Sequence, residues 1–212
     1  MAISLILADD HPIFRQGLKA LLEKEGFNVL AEGTDGVEAV SLAGKLNPDV
    51  VVMDFSMPRL NGLEAAREIL RVSPRTKVVI LSAHREEQYV VEALNAGVKG
   101  YVLKSEAVTE LALAIEEAWQ GNPYLSPGIS RIAVDSSLLK SKGGAPSELL
   151  SPRELQVLQL IAEGNTTRVI AEQLNITVKT AESYRTGLMS KLDIHQTAGL
   201  VRYAVRRGSV KP

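Results

Sequence analysis

The chain contains no cysteine, which excludes disulfides, a thiolate nucleophile and any cysteine metal site. It has no apolar run approaching the roughly 18 residues of a membrane span. Its first residues, Met1-Ala-Ile-Ser-Leu-Ile-Leu-Ala8, lack a basic leader and run straight into Asp9-Asp10, so they read as a strand and not as a signal peptide. These absences place the expected site of action in the cytoplasm, away from any membrane. What is present is ordinary for a globular protein: 212 residues, 45% hydrophobic and 23% charged. The net charge of −1 hides an asymmetry. Residues 1–125 hold 12 Lys+Arg against 18 Asp+Glu, a net of −6, and residues 126–212 hold 12 against 7, a net of +5. An acidic half joined to a basic half suggests two domains, the second suited to a polyanion.

Within the acidic half, Val50-Val-Val-Met-Asp54-Phe55 is apolar and largely β-branched, the composition of a strand buried on both faces. Asp54 interrupts the run at its C-terminal end. A carboxylate there is costly unless its charge is compensated. In open α/β sheets, though, the carboxyl ends of the strands border the ligand crevice. Alone, Asp54 reads first as a turn or helix-cap residue. Its company elsewhere raises it above that. Residues 3–8 predict a strand ending in Asp9-Asp10. Pro12, then Phe14, Leu18, Leu21 and Leu22 at helical spacing, then Gly26, predict a helix with its start and stop. Residues 27–31, 77–82 and 100–103 predict further strands. Asp35-Gly-Val-Glu38 and Asn61-Gly-Leu-Glu64 carry capping-box spacing for two more helices. A fourth helix is expected over 86–96. Ser105 is expected to cap a fifth, with Val108, Leu111, Ile115 and Ala118 on its inner face. Five strands alternating with five helices make a parallel sheet covered on both sides.

The polar groups at the strand ends then fall on one edge: Asp9 and Asp10, Asp54, Ser82 and Lys104. Three carboxylates held together repel one another and resist ionisation. A hard cation resolves this, and Mg²⁺ binds through one or two carboxylates plus phosphate oxygens. A carboxylate beside Mg²⁺ can attack a phosphoryl group to give an acyl phosphate. The Lys104 ammonium and the Ser82 hydroxyl are suited to the charge on the phosphoryl oxygens. The pattern of Asp9-Asp10, Asp54 with Met57-Pro58, Ser82-Ala83 and Lys104 resembles the receiver domain of two-component response regulators over residues 3–121. The resemblance implies Asp54 as phosphoacceptor and Mg²⁺ held by Asp9, Asp10, Asp54 and the backbone carbonyl of Ser56. It implies Ser82 and Tyr101 as coupled switch residues, and Lys104 as partner of a phosphoryl oxygen. Ser82 stands where Thr is commoner, and Asn61 where Asp is often seen. His11 reads as a loop or cap residue, because the phosphohistidine of this family belongs to a separate kinase.

Residues 121–147 are punctuated by Pro123, Pro127 and Pro146 and read as a tether, with one short helix conceivable over 128–139. Beyond them, Ser151-Pro-Arg-Glu154 starts a helix with an N-cap, a first-turn Pro and a capping-box Glu. A short helix over 166–174, the turn at 175–177 and a longer helix over 178–192 make a helix-turn-helix, and a last helix is expected over 195–207. On the longer helix Ala181, Leu188 and Leu192 face inward. Opposite lie Lys179, Ser183, Thr186 and Ser190, with Glu182 alongside, the short polar or basic face that a major groove accepts. Lys179 and Arg185 are placed to reach phosphates. A solvated helix face would look the same. The segments 150–154, 160–164, Ile170-Ala171, Val178-Lys-Thr180 and Lys191-Leu192 are similar to the LuxR-type helix-turn-helix. That implies base reading by Glu182, Ser183 and Thr186 and adds Thr180 and Lys191 to the candidate DNA contacts. Val169 replaces the family's usual Glu, which removes half of a capping box with Thr166, a loss of about 1 kcal/mol. Ala181, for the usual Val, leaves a smaller contact under the helix.

The whole chain thus resembles the NarL/FixJ subfamily. The expected architecture is a five-stranded parallel, doubly wound, flavodoxin-like receiver at 1–121, a linker at 122–147, and an all-α four-helix DNA-binding domain at 148–212 with its helix-turn-helix at about 165–184. The implied function is a transcriptional regulator phosphorylated on Asp54 by a sensor histidine kinase and binding double-stranded DNA as a homodimer. Slow autodephosphorylation is implied, and turnover of a substrate is not. Two rivals stand beside it. One is an Asp-nucleophile phosphatase, disfavoured because Ser56 stands where such enzymes place a second acid. The other is a phosphorylation-independent regulator whose receiver serves only as a dimerisation scaffold.

Overall fold

In the computed structural model, which describes residues 2–85, 87–130, 150–206 and 210, the apolar runs of the first half form five strands. They are β1 (Ser4–Ala8), β2 (Asn28–Gly33), β3 (Val50–Asp54), β4 (Lys77–Ser82) and β5 (Gly100–Leu103). Between them lie α1 (Pro12–Lys24), α2 (Gly36–Leu46), α3 (Gly62–Val72) and α4 (Glu87–Asn95), and α5 (Ala107–Gln120) follows. The sheet runs β2-β1-β3-β4-β5, all parallel. The strand order reverses between β1 and β3, the point where such sheets open a ligand crevice. Alternation divides the sheet into two faces. Ile6, Val51, Met53 and Ile80 pack with Ala39, Ile69 and Ala93, and Leu5, Leu7, Val52 and Leu81 pack with Leu18, Leu22, Leu111 and Ile115.

Register fixes the site. Ala8 pairs with Met53, Asp54 with Leu81, and Ser82 with Leu103. Asp9, Asp54 and Lys104 therefore leave β1, β3 and β5 at one level. Gly62 permits the return of the chain: a Cβ there would collide with the Asp54 carbonyl oxygen. Asp35 and Asn61 accept from the amides of Glu38 and Glu64, capping α2 and α3 as expected.

Three expectations are corrected. Ser105 caps nothing, because Lys104–Glu106 form a 3₁₀ turn and α5 starts at Ala107 without a side-chain cap. Val108 is 76% exposed, since that turn rotates it outward, and Ala107, Leu111, Ala114, Ile115 and Ala118 are buried instead. The tether also begins late. Tyr124–Leu125 form a sixth strand, β6, parallel to β5. Ser126 and Ile129 are completely buried, and the Ser126 hydroxyl accepts from the Leu103 amide at 3.3 Å. Pro123 and Pro127, which read as linker punctuation, bracket an edge strand whose two residues leave no legible period. Of the short helix conceived over 128–139, a helical turn is seen at 127–130, and the rest lies outside the described residues.

The second unit is helical. The elements α6 (Pro152–Ala162), α7 (Thr167–Gln173), α8 (Val178–Lys191) and α9 (Thr197–Arg206) surround Leu155, Leu158, Ile161, Ile170, Ala171, Ala181, Leu188, Leu200 and Ala204. Ser151 and Glu154 close a reciprocal capping box on α6. At α7, Thr166 accepts from the Val169 amide at 3.4 Å and Val169 returns nothing, the half-cap expected from the sequence. Asn175, at φ 51°, makes the left-handed turn into α8. The last helix starts two residues later than expected, and Arg207 lies outside the described residues.

Candidate functional site

At the carboxyl edge of the sheet, Asp9 and Asp54 are each 2% exposed. Two buried carboxylates at this spacing need a cation, and the fold supplies one from β5. Lys104 Nζ lies 2.7 Å from Asp9 Oδ2 and 2.8 Å from Asp54 Oδ2. Burial pushes the Lys104 ammonium toward deprotonation, but Asp54 and then Asp9 outweigh it and hold the pKa above the ordinary lysine value. The Phe14 ring sits 4.8 Å from the ammonium, a cation–π contact that closes one side. Asp10 is partly exposed at the rim.

His11, read from sequence as a loop or cap residue, is the N-cap of α1 but makes no side-chain cap bond. Its Nδ1 instead stands 3.1 Å from Asp9 Oδ1 and 2.9 Å from Asp10 Oδ1. Asp9, Asp10, His11 and Asp54 each offer a ligand atom, all within 4.8 Å of one another. Three of the four are carboxylates, two of them buried, and a hard divalent cation takes such oxygens. The donor set therefore fits Mg²⁺.

Ser82 is fully buried, and its hydroxyl accepts from the His84 amide at 2.9 Å. Tyr101 is also fully buried, and its hydroxyl donates to the His84 carbonyl at 3.1 Å. The His84 ring packs against Phe55 and Tyr89 and approaches the Ser56 hydroxyl at 3.4 Å. His84 thus joins three of the predicted residues, and sequence reasoning passed over it. The available signal was its place two residues beyond Ser82.

In the second unit, Lys179, Glu182, Ser183 and Thr186 lie exposed along α8 as the helical wheel predicts, while Ala181 and Leu188 are buried. The Ser183 hydroxyl is turned onto the Lys179 carbonyl. Thr180 sits in the first turn, its amide bonded to the N-cap Thr177. Two expected DNA contacts have partners inside the unit. Arg185 Nη2 donates to Thr197 Oγ1 at 2.5 Å, and Lys191 Nζ lies 2.6 Å from Glu154 Oε1.

Residues 5–116 match the response regulator receiver domain, and residues 148–204 match the luxR family of bacterial regulatory proteins. The chain belongs to the response regulators. It is 37% identical to the response regulator UvrY of Escherichia coli K12 over 97% of this chain and 95% of that one. It is 35% identical to the transcriptional regulatory protein DegU of Brevibacillus brevis over 99% and 95%. Among solved structures, RcsB from Salmonella enterica serovar Typhimurium bound to promoter rprA with phosphomimetic BeF3− matches with TM-score 0.62 at 30% identity, covering 96% of this chain and 98% of that one. The response regulator is of the NarL/FixJ type, a DNA-binding transcription regulator of a two-component system, and the family is one of regulators and not of turnover enzymes. Among the described residues no helix is long and apolar enough to cross a membrane.

Proposed function

We propose that a sensor histidine kinase phosphorylates this regulator on Asp54 and that the modification controls its binding to double-stranded DNA. The observation that carries the reading is the Lys104 ammonium between the two buried carboxylates, 2.7 Å from Asp9 and 2.8 Å from Asp54. A lysine so placed offsets the repulsion between the two carboxylates and fixes the Asp54 oxygens for attack on phosphorus. An Asp54 oxygen attacks the phosphorus of a phosphohistidine, the P–N bond breaks, and the imidazole leaves with its electron pair and takes up a proton. Asp9, Asp10, Asp54 and the Ser56 carbonyl would hold Mg²⁺, which when bound neutralises charge on the phosphoryl oxygens. Lys104 orients the nucleophile and pairs with a phosphoryl oxygen. Hydrolysis of the acyl phosphate is slow, because Ser56 provides no carboxylate to activate water.

Ser82 then turns toward the phosphoryl group and Tyr101 follows, since both are anchored on His84. The change reaches residues 124–130 through their seam with β5, whose Tyr101 carbonyl accepts from the Ser126 amide at 3.0 Å. The receiver proper is placed in 1–121 with this stitched segment following it, and the DNA-binding domain in 148–212. Homodimers bind paired half-sites in the cytoplasm. Glu182, Ser183 and Thr186 read bases. Lys179, with Thr180 at the start of the helix, contacts the backbone. Arg185 and Lys191 reach DNA only after leaving Thr197 and Glu154.

The test is intact mass after incubation with Mg²⁺ and a small-molecule phosphodonor, for the wild type and Asp54→Asn. One phosphoryl adduct on the wild type alone supports the reading. No adduct on folded wild type sinks it.

A further inference from the structure

We propose that Arg15 is a positioning residue of the phosphorylation site, bracing the Asp9 carbonyl against Glu32 so that the acidic turn keeps the geometry a divalent cation needs. The inference rests on the reading of Asp54 given above. Arg15 belongs to the first turns of α1, where a long cation ordinarily reaches into water. Its side chain is only 12% exposed. One arm, Nη1, donates to the Asp9 carbonyl oxygen at 2.5 Å, and Nε donates to Glu32 Oε2 at 3.0 Å. Glu32 lies on β2 and is itself fixed by Lys19 Nζ at 2.9 Å and Gln16 Nε2 at 2.8 Å. Lys19, against the opposing effect of burial, and then Arg15 hold the Glu32 carboxyl below the ordinary glutamate pKa, so it stays ionised as an anchor.

The carbonyl in question belongs to the peptide that joins Asp9 to Asp10. That unit is planar, so locking its oxygen also locks the nitrogen and Cα of Asp10. The Asp9 amide is held from β2 as well, donating to the Gly33 carbonyl at 3.2 Å. Both sides of Asp9 are thus tied to neighbouring elements, and β2, α1 and β1 meet at the residue that starts the acidic pair. Glu32 neutralises the guanidinium, so the brace adds little repulsion toward a dication. A lysine could not take its place, because a single ammonium lacks the planar fork that serves two separated acceptors.

The decisive measurement is a titration of the full-length, unphosphorylated protein with Mg²⁺, followed by backbone amide NMR shifts of Asp9, Asp10 and Asp54. The rate of phosphoryl adduct formation is measured in parallel across the same Mg²⁺ series. Loss of an outer partner of a metal site typically weakens affinity 10–100-fold. Arg15→Gln is expected to raise half-saturating Mg²⁺ about tenfold while the adduct rate recovers at saturating Mg²⁺. Arg15→Lys should remain raised, and Glu32→Gln, which weakens the anchor and leaves Arg15 in place, should raise it severalfold. If Arg15 only stapled α1 to β2, the melting temperature would fall and the Mg²⁺ midpoint would not move. If its charge alone mattered, Arg15→Gln would lower the midpoint. Either result overturns the proposal. Should Arg15→Gln fail to fold, an unchanged midpoint in Glu32→Gln overturns it equally. A wild type that binds Mg²⁺ but forms no Asp54 adduct would refute the phosphorylation reading and leave the brace to be judged on the binding data.

Discussion

Replacing Lys104 with Met removes one charge and leaves two. Asp9 and Asp54 side chains are each 3% exposed, and the Lys104 side chain whose ammonium lies between them is 19% exposed. Breaking a buried ion pair by deleting one partner costs about 3–5 kcal/mol, because the remaining charge is uncompensated. The rim of the pocket is wet at Asp10, which is 29% exposed, so the low end of that range applies: about 3 kcal/mol in EDTA at neutral pH. For a domain of this size that lowers Tm by roughly 10 °C. The single tryptophan, Trp119 on α5, reports unfolding of the receiver within the full chain. Mg²⁺ at a hundred times its Kd should return about 2.7 kcal/mol to the variant by binding the native state. Adding Asp54→Asn to Lys104→Met should also restore stability without Mg²⁺, since one of the two buried carboxylates is gone. A Lys104→Met protein as stable as wild type in EDTA would refute the claim that this ammonium compensates the pair.

Ile129→Ala should cost the receiver about 2–4 kcal/mol in urea melts read at Trp119, although sequence would place it in a tether; it is fully buried against the core that contains Tyr101 and Leu103. Val169→Glu completes the half-cap on α7 and should stabilise the DNA-binding unit by about 1 kcal/mol, read by its thermal transition. Tyr124 is pushed up to about 12 by burial and then by its hydrogen bond to Glu110. Folding therefore favours the neutral phenol: its stabilisation is complete below pH 10 and is lost between pH 10 and 12, a contribution that Tyr124→Phe should remove from the alkaline unfolding curve while that of Lys104 stays. Lys179→Ala should lower the salt slope of DNA binding by about 0.9 per protomer without altering stability. Lys191→Ala should instead cost about 1 kcal/mol of stability through Glu154, with a smaller change in slope.

The strand-end constellation was legible because each member closes a short apolar run and the βα repeat brings every run to the same edge. Asp9, Asp54, Ser82 and Lys104 meet there without any long-range information. The helix starts at Asp35, Asn61 and Ser151 were legible for a local reason, the three-residue spacing of a capping box. What escaped was set by tertiary partners. β6 is two residues long between prolines, and only pairing with β5 makes it a strand. Val108 faces water because a 3₁₀ turn replaces the expected cap at Ser105, shifting the phase of α5. Arg185 and Lys191 carry the right charge on the right helix, yet whether such a cation reaches outward or across to Thr197 and Glu154 depends on neighbours remote in sequence. His11 and His84 look like loop residues until their rings and backbone are seen among the site's polar groups.

The arrangement around His84 shows why two switch residues would move together. Ser82 accepts from its amide and Tyr101 donates to its carbonyl, so the two side chains share one residue's backbone. Turning the Ser82 hydroxyl toward a phosphoryl group at Asp54 gives up a neutral hydrogen bond, a net loss of about 1 kcal/mol. On the proposed reading it would gain a charge-assisted bond of roughly 1.5–3 kcal/mol, so phosphorylation would carry the exchange and an unmodified Asp54, already served by Lys104, would not. Released on its amide side, the His84 segment would no longer fix the carbonyl that holds Tyr101. Tyr101 lies on β5, paired with Leu125 of β6 and packed in the core that contains Ile129. The same strand thus delivers Lys104 to the chemistry at one end and supports the departing chain at the other. On the proposed reading, a charge change at Asp54 would need only one shared backbone residue and one strand to reach residues 124–130.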